Sequence, residues 1–209
     1  MVGTWEFVRP RPATPEQGYR HVNVFVIRHG ETAWSLSGQH TGTSDIPLTD
    51  NGCRLAERLR PVLAKEAFAR LRQSDAASTG DLRVGGSRRR RRIDPDLAEW
   101  NYGEYEGLTP KQIHEEAPGW LIFQDGCPSG EPPEQVGARV DRVIARARAA
   151  DGDVALFAHG HVLRVLAARW IGSPPGAGQH FLLDTGTLCV LGYYRGVPAV
   201  KIWNGPVLG

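Results

Sequence analysis

Two short runs of apolar positions are each followed directly by a histidine and a glycine. The first run, Val22 to Ile27, precedes Arg28-His29-Gly30, and the second, Val154 to Ala158, precedes His159-Gly160. Short runs rich in β-branched residues are typical of buried parallel strands. Ligands of open parallel sheets bind beyond the carboxyl ends of the strands. We therefore expect both histidines to face one site.

The stretches between and after these strands have apolar residues at helical spacing, which predicts helices there. Thr49 is expected to cap a helix with leucines at fourfold spacing, which Pro61 kinks or ends. Further helices are predicted over 109–117 and 134–150, and an amphipathic helix is predicted after Gly160, with its N-terminus at the same site. Two strands near the C-terminus, over 187–194 and 199–203, are predicted to form a hairpin through Arg195-Gly196.

The alternation of strand and helix predicts an α/β fold, a three-layer αβα sandwich with a mostly parallel central sheet. Residues 1–20 contain three prolines and no periodic apolar face, so they are predicted to form an extended N-terminal leader. Residues 21–209 are then a single domain.

The composition is that of an ordinary globular protein, with 41% hydrophobic and 23% charged residues. No window approaches the roughly 18 apolar residues of a membrane span, and the N-terminus lacks the apolar core of a signal peptide. We therefore expect a cytoplasmic protein without a membrane partner. Cys53, Cys127 and Cys189 are odd in number and widely spaced, which fits neither a disulfide framework nor a zinc site.

The net charge of +2 conceals an uneven distribution. Residues 70–92 carry eight arginines, including Arg88 to Arg92 in a row, and two aspartates, which leaves −4 for the remainder of the chain. A basic run of this kind can bind nucleic acid. It has no interleaved aromatic residue and no second basic face, so we predict no nucleic-acid partner.

The segment Arg28-His29-Gly30-Glu31-Thr32 carries the most specific chemistry in the chain. A guanidinium and an imidazole at a strand end, with free backbone N–H groups in the following turn, form a pocket for a tetrahedral anion. A histidine is also a nucleophile toward phosphorus when its second ring nitrogen is held by a carbonyl group.

Four segments in this order resemble the histidine phosphatase superfamily, whose fold is that of the phosphoglycerate mutases. Four ordered matches are far more specific than any single one. The segments are Arg28-His29-Gly30-Glu31-Thr32 with Trp34; Thr41-Gly42 followed by Asp45-Ile46-Pro47-Leu48-Thr49 and Gly52; Asp96-Leu97-Ala98-Glu99-Trp100-Asn101-Tyr102-Gly103 running into Tyr105-Glu106-Gly107-Leu108-Thr109; and Ala158-His159-Gly160.

The resemblance implies three catalytic residues: His29 as the nucleophile that becomes phosphohistidine, Glu99 as the proton donor to the leaving oxygen, and His159. Arg28 and His159 would hold the transferred phosphoryl group. The remaining expected substrate-binding residues are Thr41, Gly42, Gly160 and His161. No metal or other cofactor is implied.

Several neighbouring residues have competing interpretations. Glu106 is a rival to Glu99 as the acid, His40 is expected to be a solvated loop residue, and Cys127 is expected to be structural. Arginines along the helix over 134–150 are expected to form a solvated face. They are Arg139, Arg142, Arg146 and Arg148.

The chain departs from the family pattern where a second phosphate-binding arginine is expected. The family has a Ser-Pro-x-x-Arg-Ala-x-x-Thr segment there, and this chain reads Gln73-Ser74-Asp75-Ala76-Ala77-Ser78-Thr79-Gly80-Asp81. If permitted GC-rich codons are chosen for this stretch, reading them one nucleotide later can give Ser-Pro-Met-Gln-Arg-Ala-Arg-Ala-Thr-Cys, and CGC codons for Arg88 to Arg92 then give alanines. Our hypothesis is a pair of compensating frameshifts within about residues 71–92.

Within the superfamily, the sequence favours a phosphomonoester hydrolase acting on a small phosphorylated metabolite. The stretch from Asn101 to Ala138 has seven acidic residues and Lys111 as its only cation, which favours a neutral or weakly charged leaving group. Gly126-Cys127-Pro128-Ser129-Gly130-Glu131 resembles the acid-phosphatase-type branch, with Pro132 where a serine is usual. The alternatives are a phosphoglycerate mutase and a catalytically impaired phospho-ligand binder that lacks the second arginine. The oligomeric state is not predicted.

Overall fold

The fold is taken from a computed structural model that describes residues 22–74 and 92–206. The predicted leader and residues 75–91 of the departing segment lie outside the described residues. Within them, six strands form one sheet in the order β3-β2-β4-β1-β5-β6. The strands are β1 Val24–Arg28, β2 Arg70–Gln73, β3 Arg92–Ile93, β4 Val154–Ala158, β5 Leu188–Tyr194 and β6 Val197–Gly205.

The sheet is mostly parallel. Strands β3, β2, β4 and β1 run in one direction. At one edge, β5 pairs antiparallel with β1, and β6 pairs antiparallel with β5. The two closing strands form the predicted hairpin, in which Arg195 and Gly196 have φ values of 50° and 82°. Positive φ at both central residues matches the twist of the flanking strands.

Helices occupy both faces of the sheet. The helices are α1 Ala33–Ser37, α2 Asp50–Leu63, α3 Pro110–Glu116, α4 Ile122–Asp125, α5 Pro133–Arg148 and α6 Gly160–Trp170, and short 3₁₀ turns span Pro95–Leu97, Gly103–Tyr105 and Pro175–His180. As predicted, Thr49 caps α2 by accepting the Gly52 N–H at 3.0 Å. The helix runs through Pro61 and ends at Leu63, two residues later than the proline.

Successive side chains of β1 point to opposite faces, and both sets are buried. Val24 and Val26 pack in one apolar cluster with α5 and α6, whereas Phe25 and Ile27 pack in a second cluster with Leu59 and Leu63 of α2. A strand covered on both faces reads as a continuous apolar run. The three-layer α/β prediction is therefore confirmed.

Strand β2 is an element that the apolar pattern does not predict. Among Arg70–Gln73, Leu71 is the one apolar residue, and it is buried beneath the sheet face that α2 covers. The strand is set by its parallel pairing with β4, which places Gln73 beside Phe157. No helix among the described residues is long and apolar enough to span a membrane.

Candidate active site

The carboxyl ends of β1, β4 and β2 meet at one edge of the sheet. His29 follows β1 and donates its N–H to the Ala158 carbonyl at 3.1 Å, and its ring centre lies 5.0 Å from that of His159, which follows β4. The hydroxyl of Ser74, directly after β2, lies 2.7 Å from His159 Nε2. Both histidines are buried, so the structure brings them together as the strand pattern predicts.

The His29 ring is fixed in one tautomer. Nδ1 lies 2.7 Å from the Gly30 carbonyl oxygen, which can only accept, so Nδ1 carries the proton. Nε2 is left as a lone pair facing the cavity. Burial lowers the pKa of His29 from 6.5 to about 3, helped by the charges of His159 and Arg28. The imidazole is therefore neutral at ordinary pH.

The Arg28 guanidinium lies beside this ring at the base of the cavity. Its Nη1 donates to the Leu183 carbonyl, and its Nε is buried with no hydrogen-bond partner among residues 22–74 and 92–206. Gly160 gives it room, since a Cβ there would lie 3.3 Å from the guanidinium carbon. Burial lowers the pKa of Arg28 from its ordinary value, against the charge of Glu99. A buried guanidinium with a free N–H is suited to an anionic ligand.

Glu99 spans the cavity to the start of α6. Its Oε1 accepts the Trp100 and Val162 N–H groups at 2.9 and 2.8 Å, and its Oε2 accepts the His161 N–H at 2.9 Å. Two of these donors belong to the first turn of the helix, where the dipole favours negative charge. The carboxyl group is therefore held firmly, with Oε2 the less saturated oxygen.

Aromatic side chains form part of the cavity wall. The Tyr102 hydroxyl lies 2.6 Å from His161 Nδ1, and the His40 ring stacks on Tyr102 at 4.6 Å between ring centres. Burial lowers the pKa of His40 and that of His161. The expectation of a solvated loop is wrong for His40, which is 7% exposed. His161 lines the cavity where the sequence places it.

Of the two residues in the Thr41-Gly42 turn, one lines the cavity and the other does not. Thr41 lines the cavity, whereas the Gly42 N–H donates to both oxygens of Glu106, at 3.0 and 2.9 Å. Glu106 also accepts the N–H groups of Thr43 and Ser44. The structure therefore does not bring the Gly42 N–H to the cavity, contrary to its expected role in substrate binding. Glu106 organises the turn, while Glu99 is the carboxylate in the cavity.

The cavity has a volume of about 230 Å³ and a cationic lining. No sequence pattern indicates Arg164, which lines the cavity from α6, or the Leu183 carbonyl that orients Arg28. Glu99 is the acidic residue of the described cavity lining. The other carboxylates expected to make the site acidic do not line this cavity and bind other groups: Glu131 binds Arg139, Glu104 accepts the Ser129 hydroxyl, and Asp125 caps the Leu121 N–H.

Arg139 departs from the expected solvated face of α5. Its guanidinium is buried, bonds both oxygens of Glu131, and donates to the carbonyls of Asp96, Ala98 and Glu99. These contacts fasten the loop that carries Glu99. Arg142 follows the expectation and is exposed, although it pairs with Asp96 at 2.5 Å.

The buried cysteines do not line the cavity, and the described residues hold no cluster of metal-ligand type. Burial raises the pKa of Cys127 to about 12 and that of Cys189 to about 11. Both thiols are therefore protonated and structural. Across residues 22–74 and 92–206, no three His, Cys, Asp or Glu side chains cluster as metal ligands do.

The chain is similar to a known family of enzymes and to several of its members. The model of the histidine phosphatase superfamily, branch 1, matches residues 24–206. The chain is 37% identical over 195 residues to an acid phosphatase of Mycobacterium tuberculosis, covering 88% of this chain and 93% of that protein. It is also 37% identical over 184 residues to sedoheptulose 1,7-bisphosphatase of Saccharomyces cerevisiae, covering 70% of this chain and 66% of that protein.

The fold has equally clear counterparts among solved structures. The structure of an open reading frame product of Mycobacterium tuberculosis superimposes with a TM-score of 0.83 at 34% identity, covering 90% of this chain and 99% of that one. The family model over residues 24–206 contains all six strands of the sheet and therefore the strand ends at the cavity.

Proposed function

The chain is an enzyme of the histidine phosphatase superfamily, and we propose that it hydrolyses small phosphomonoesters through a phosphohistidine formed on His29. The observation that carries this proposal is the state of the His29 ring. Its Nδ1 proton is held by the Gly30 carbonyl, which leaves Nε2 unprotonated, and the ring lines a cavity with Arg28 and Glu99, with the His159 ring centre 5.0 Å away. That is the arrangement an imidazole needs to attack phosphorus.

In the first step, His29 Nε2 attacks phosphorus, and the bond from phosphorus to the leaving oxygen breaks. Arg28, which lines the cavity, and His159, whose ring centre lies 5.0 Å from that of His29, stabilise the charge on the transferred oxygens. Glu99 Oε2 gives a proton to the leaving oxygen, so the product departs as an alcohol.

In the second step, Glu99 takes a proton from water, and the oxygen of that water attacks phosphorus. The bond between phosphorus and Nε2 breaks, its electron pair returns to the imidazole, and inorganic phosphate leaves. The contact between Nδ1 and the Gly30 carbonyl keeps the ring oriented in both steps.

The proposal assigns the charge stabilisation to the side chains of the chain itself. Arg28, which lines the cavity, and His159, next to the nucleophile, would supply the charge stabilisation that a metal ion supplies in other phosphoryl-transfer enzymes. We therefore propose that the reaction needs no metal ion. Dialysis of the protein against a chelator should leave its turnover unchanged. The cytoplasmic location stays a prediction from the sequence.

The experiment measures hydrolysis of p-nitrophenyl phosphate beside isomerisation of 3-phosphoglycerate. We expect His29→Ala to lower hydrolysis by at least about 10⁴-fold. A matched control is His180→Ala, because this histidine is exposed. Isomerisation faster than hydrolysis would favour a mutase, and phosphate binding without turnover would favour a ligand binder.

A further inference from the structure

Arg164 shares one face of α6 with Gly160, one turn away. Residues four apart on a helix have Cβ positions about 5–6 Å from each other, and Gly160 is the residue against which the Arg28 guanidinium packs. Both guanidiniums line the same cavity. The chain therefore presents a second cation beside the site where the phosphoryl group is transferred.

The Arg164 guanidinium is held in place by main-chain and ring contacts. Nε donates to the Gly178 carbonyl at 3.2 Å, Nη2 donates to the Gln179 carbonyl at 3.1 Å, and the guanidinium carbon lies 4.4 Å from the centre of the Phe123 ring. Nη1 makes no hydrogen bond within the described residues. The group is thus oriented, with donor capacity left over.

No carboxylate in the described part of the chain forms an ion pair with Arg164. Other partly buried arginines do have such partners, as Arg139 has Glu131 and Arg169 has Asp141. Burial lowers the pKa of Arg164 from its ordinary value, against the charge of Glu99, which lines the same cavity. Burying a cation without a direct ion pair has a free-energy cost, so a cation kept in this state at a cavity is suited to an anionic ligand.

We propose that Arg164 binds a second anionic group on the substrate, a carboxylate or a second phosphate, carried by the leaving group. This inference rests on the proposed hydrolysis and names the substrate class of the same site. It replaces the sequence-based expectation of a neutral or weakly charged leaving group, because the carboxylates behind that expectation do not line the cavity.

The order of side chains along α6 indicates that Arg164 contacts the leaving group and not the transferred phosphoryl group. Arg28 packs at Gly160, the Glu99 carboxylate is bonded to the N–H groups of His161 and Val162, and Arg164 lies on the following turn. Glu99 protonates the leaving oxygen. A group attached beyond that oxygen then reaches Arg164, while the phosphoryl oxygens stay with Arg28.

The test compares two pairs of substrates, and the members of each pair differ in one charged group. 3-Phosphoglycerate carries a carboxylate where glycerol 3-phosphate carries a hydroxymethyl group, and fructose 1,6-bisphosphate carries a phosphate that fructose 1-phosphate lacks. For each, kcat and KM are measured with the wild-type protein, Arg164→Gln and Arg164→Lys. Arg148→Gln is the matched control, since Arg148 also packs on an aromatic ring, at 4.7 Å from Trp170, and donates to a carbonyl, but lies outside the cavity lining.

We expect the wild-type protein to prefer the anionic member of at least one pair by about 10-fold or more in kcat/KM. Arg164→Gln should remove most of that preference, chiefly through KM, whereas Arg164→Lys should keep part of it and Arg148→Gln all of it. Which pair shows the effect identifies the carboxylate or the phosphate. The absence of a preference in the wild type, or equal losses for both members of a pair in Arg164→Gln, would overturn the proposal.

Failure of the proposed function has a different signature. If the wild-type protein turns over none of the four compounds, hydrolysis is refuted for this set and calorimetric binding of the same pairs decides about Arg164. Tighter binding of the anionic members that Arg164→Gln abolishes would support the subsite, and equal binding would refute it.

Discussion

His29 is a neutral imidazole with one nitrogen committed to the backbone and the other free. The Gly30 carbonyl takes the Nδ1 proton, and burial opposes protonation of Nε2 because the charged ring would lose its hydration. Nearby positive charge adds to this effect. The residue therefore combines two properties of a nucleophile, a fixed direction and an unprotonated attacking atom.

The pH dependence of the phosphorylation step follows from this environment. The pKa of His29 is lowered from 6.5 to about 3, so the attacking neutral form persists as the pH falls through 6.5 and is lost only near 3. We expect kcat to hold below pH 5 instead of falling about 10-fold per pH unit below 6.5. The measurement is a kcat profile from pH 3 to 8, with an NMR titration of the imidazole assigned by His29→Gln. An imidazole titrating near 6.5 would contradict the account.

Glu99 and Glu106 are distinguished by what their carboxylates hold. Glu99→Gln should lower hydrolysis of an alkyl phosphate by about 10²- to 10⁴-fold and that of p-nitrophenyl phosphate much less, because nitrophenolate leaves without a proton. Glu106→Gln should loosen the turn at residues 42–44, with a loss of about 1–3 kcal/mol in stability and an unaltered dependence on the leaving group. The reverse pattern would make Glu106 the acid.

Some residues of the site could not be found from the sequence, for a physical reason. His40 becomes a wall residue because it stacks on Tyr102, which is 62 positions away, and Arg164 enters the cavity because its guanidinium is held by carbonyls of a later turn. Such contacts depend on tertiary packing and leave no local pattern. Arg28, His29 and His159 are predictable from the sequence because Arg28 is the last residue of the buried strand β1, and His29 and His159 directly follow β1 and β4.

The elements around the site differ in how clearly the sequence predicts them. β1 and β4 are buried on both faces and appear as apolar runs, whereas β2 is specified by its pairing with β4 and has one apolar side chain. The loop of Glu99 has no regular structure beyond short 3₁₀ turns. It is held instead by Arg139 of α5, which donates to three of its carbonyls.

Arg139→Met should therefore damage both stability and catalysis. It leaves the Glu131 carboxylate buried without its cation, which costs about 3–5 kcal/mol, and it frees the loop of Glu99, so kcat should fall. The double variant Arg139→Met with Glu131→Gln should recover part of the stability. Thermal unfolding and kcat are measured, with the exposed Arg142→Met as control. Equal effects of Arg139→Met and Arg142→Met would contradict the assignment.

At the scale of the whole molecule, the charge is divided between two unlike parts. Residues 70–92 carry +6 and the rest of the chain −4. The superfamily model matches residues 24–206, a range that includes the basic segment, while residues 75–91 lie outside the described residues. Because the positive charge is confined to one segment, the net charge of +2 is a poor guide to a binding partner. The basic segment coincides with the place where the resemblance to the family leads us to expect a second phosphate-binding arginine.

The frameshift hypothesis gives a direct prediction for this segment. We expect the coding DNA for residues 73–82 to spell Ser-Pro-Met-Gln-Arg-Ala-Arg-Ala-Thr-Cys when read one nucleotide later, which sequencing of the gene establishes. A variant rebuilt with the shifted peptide over residues 71–92 should gain about 10- to 100-fold in kcat/KM, because a bidentate contact to the phosphoryl group is restored. Codons that cannot encode the shifted peptide would refute the hypothesis.

The central claim is that the phosphoryl group passes through Nε2 of His29. Rapid acid-free quenching during turnover, followed by mass spectrometry of the peptides, tests it most directly. The account predicts one phosphoryl group on the peptide that contains His29, stable in base, labile in acid and absent from His29→Ala. A phosphoryl group on another residue, or full turnover by His29→Ala, would contradict it.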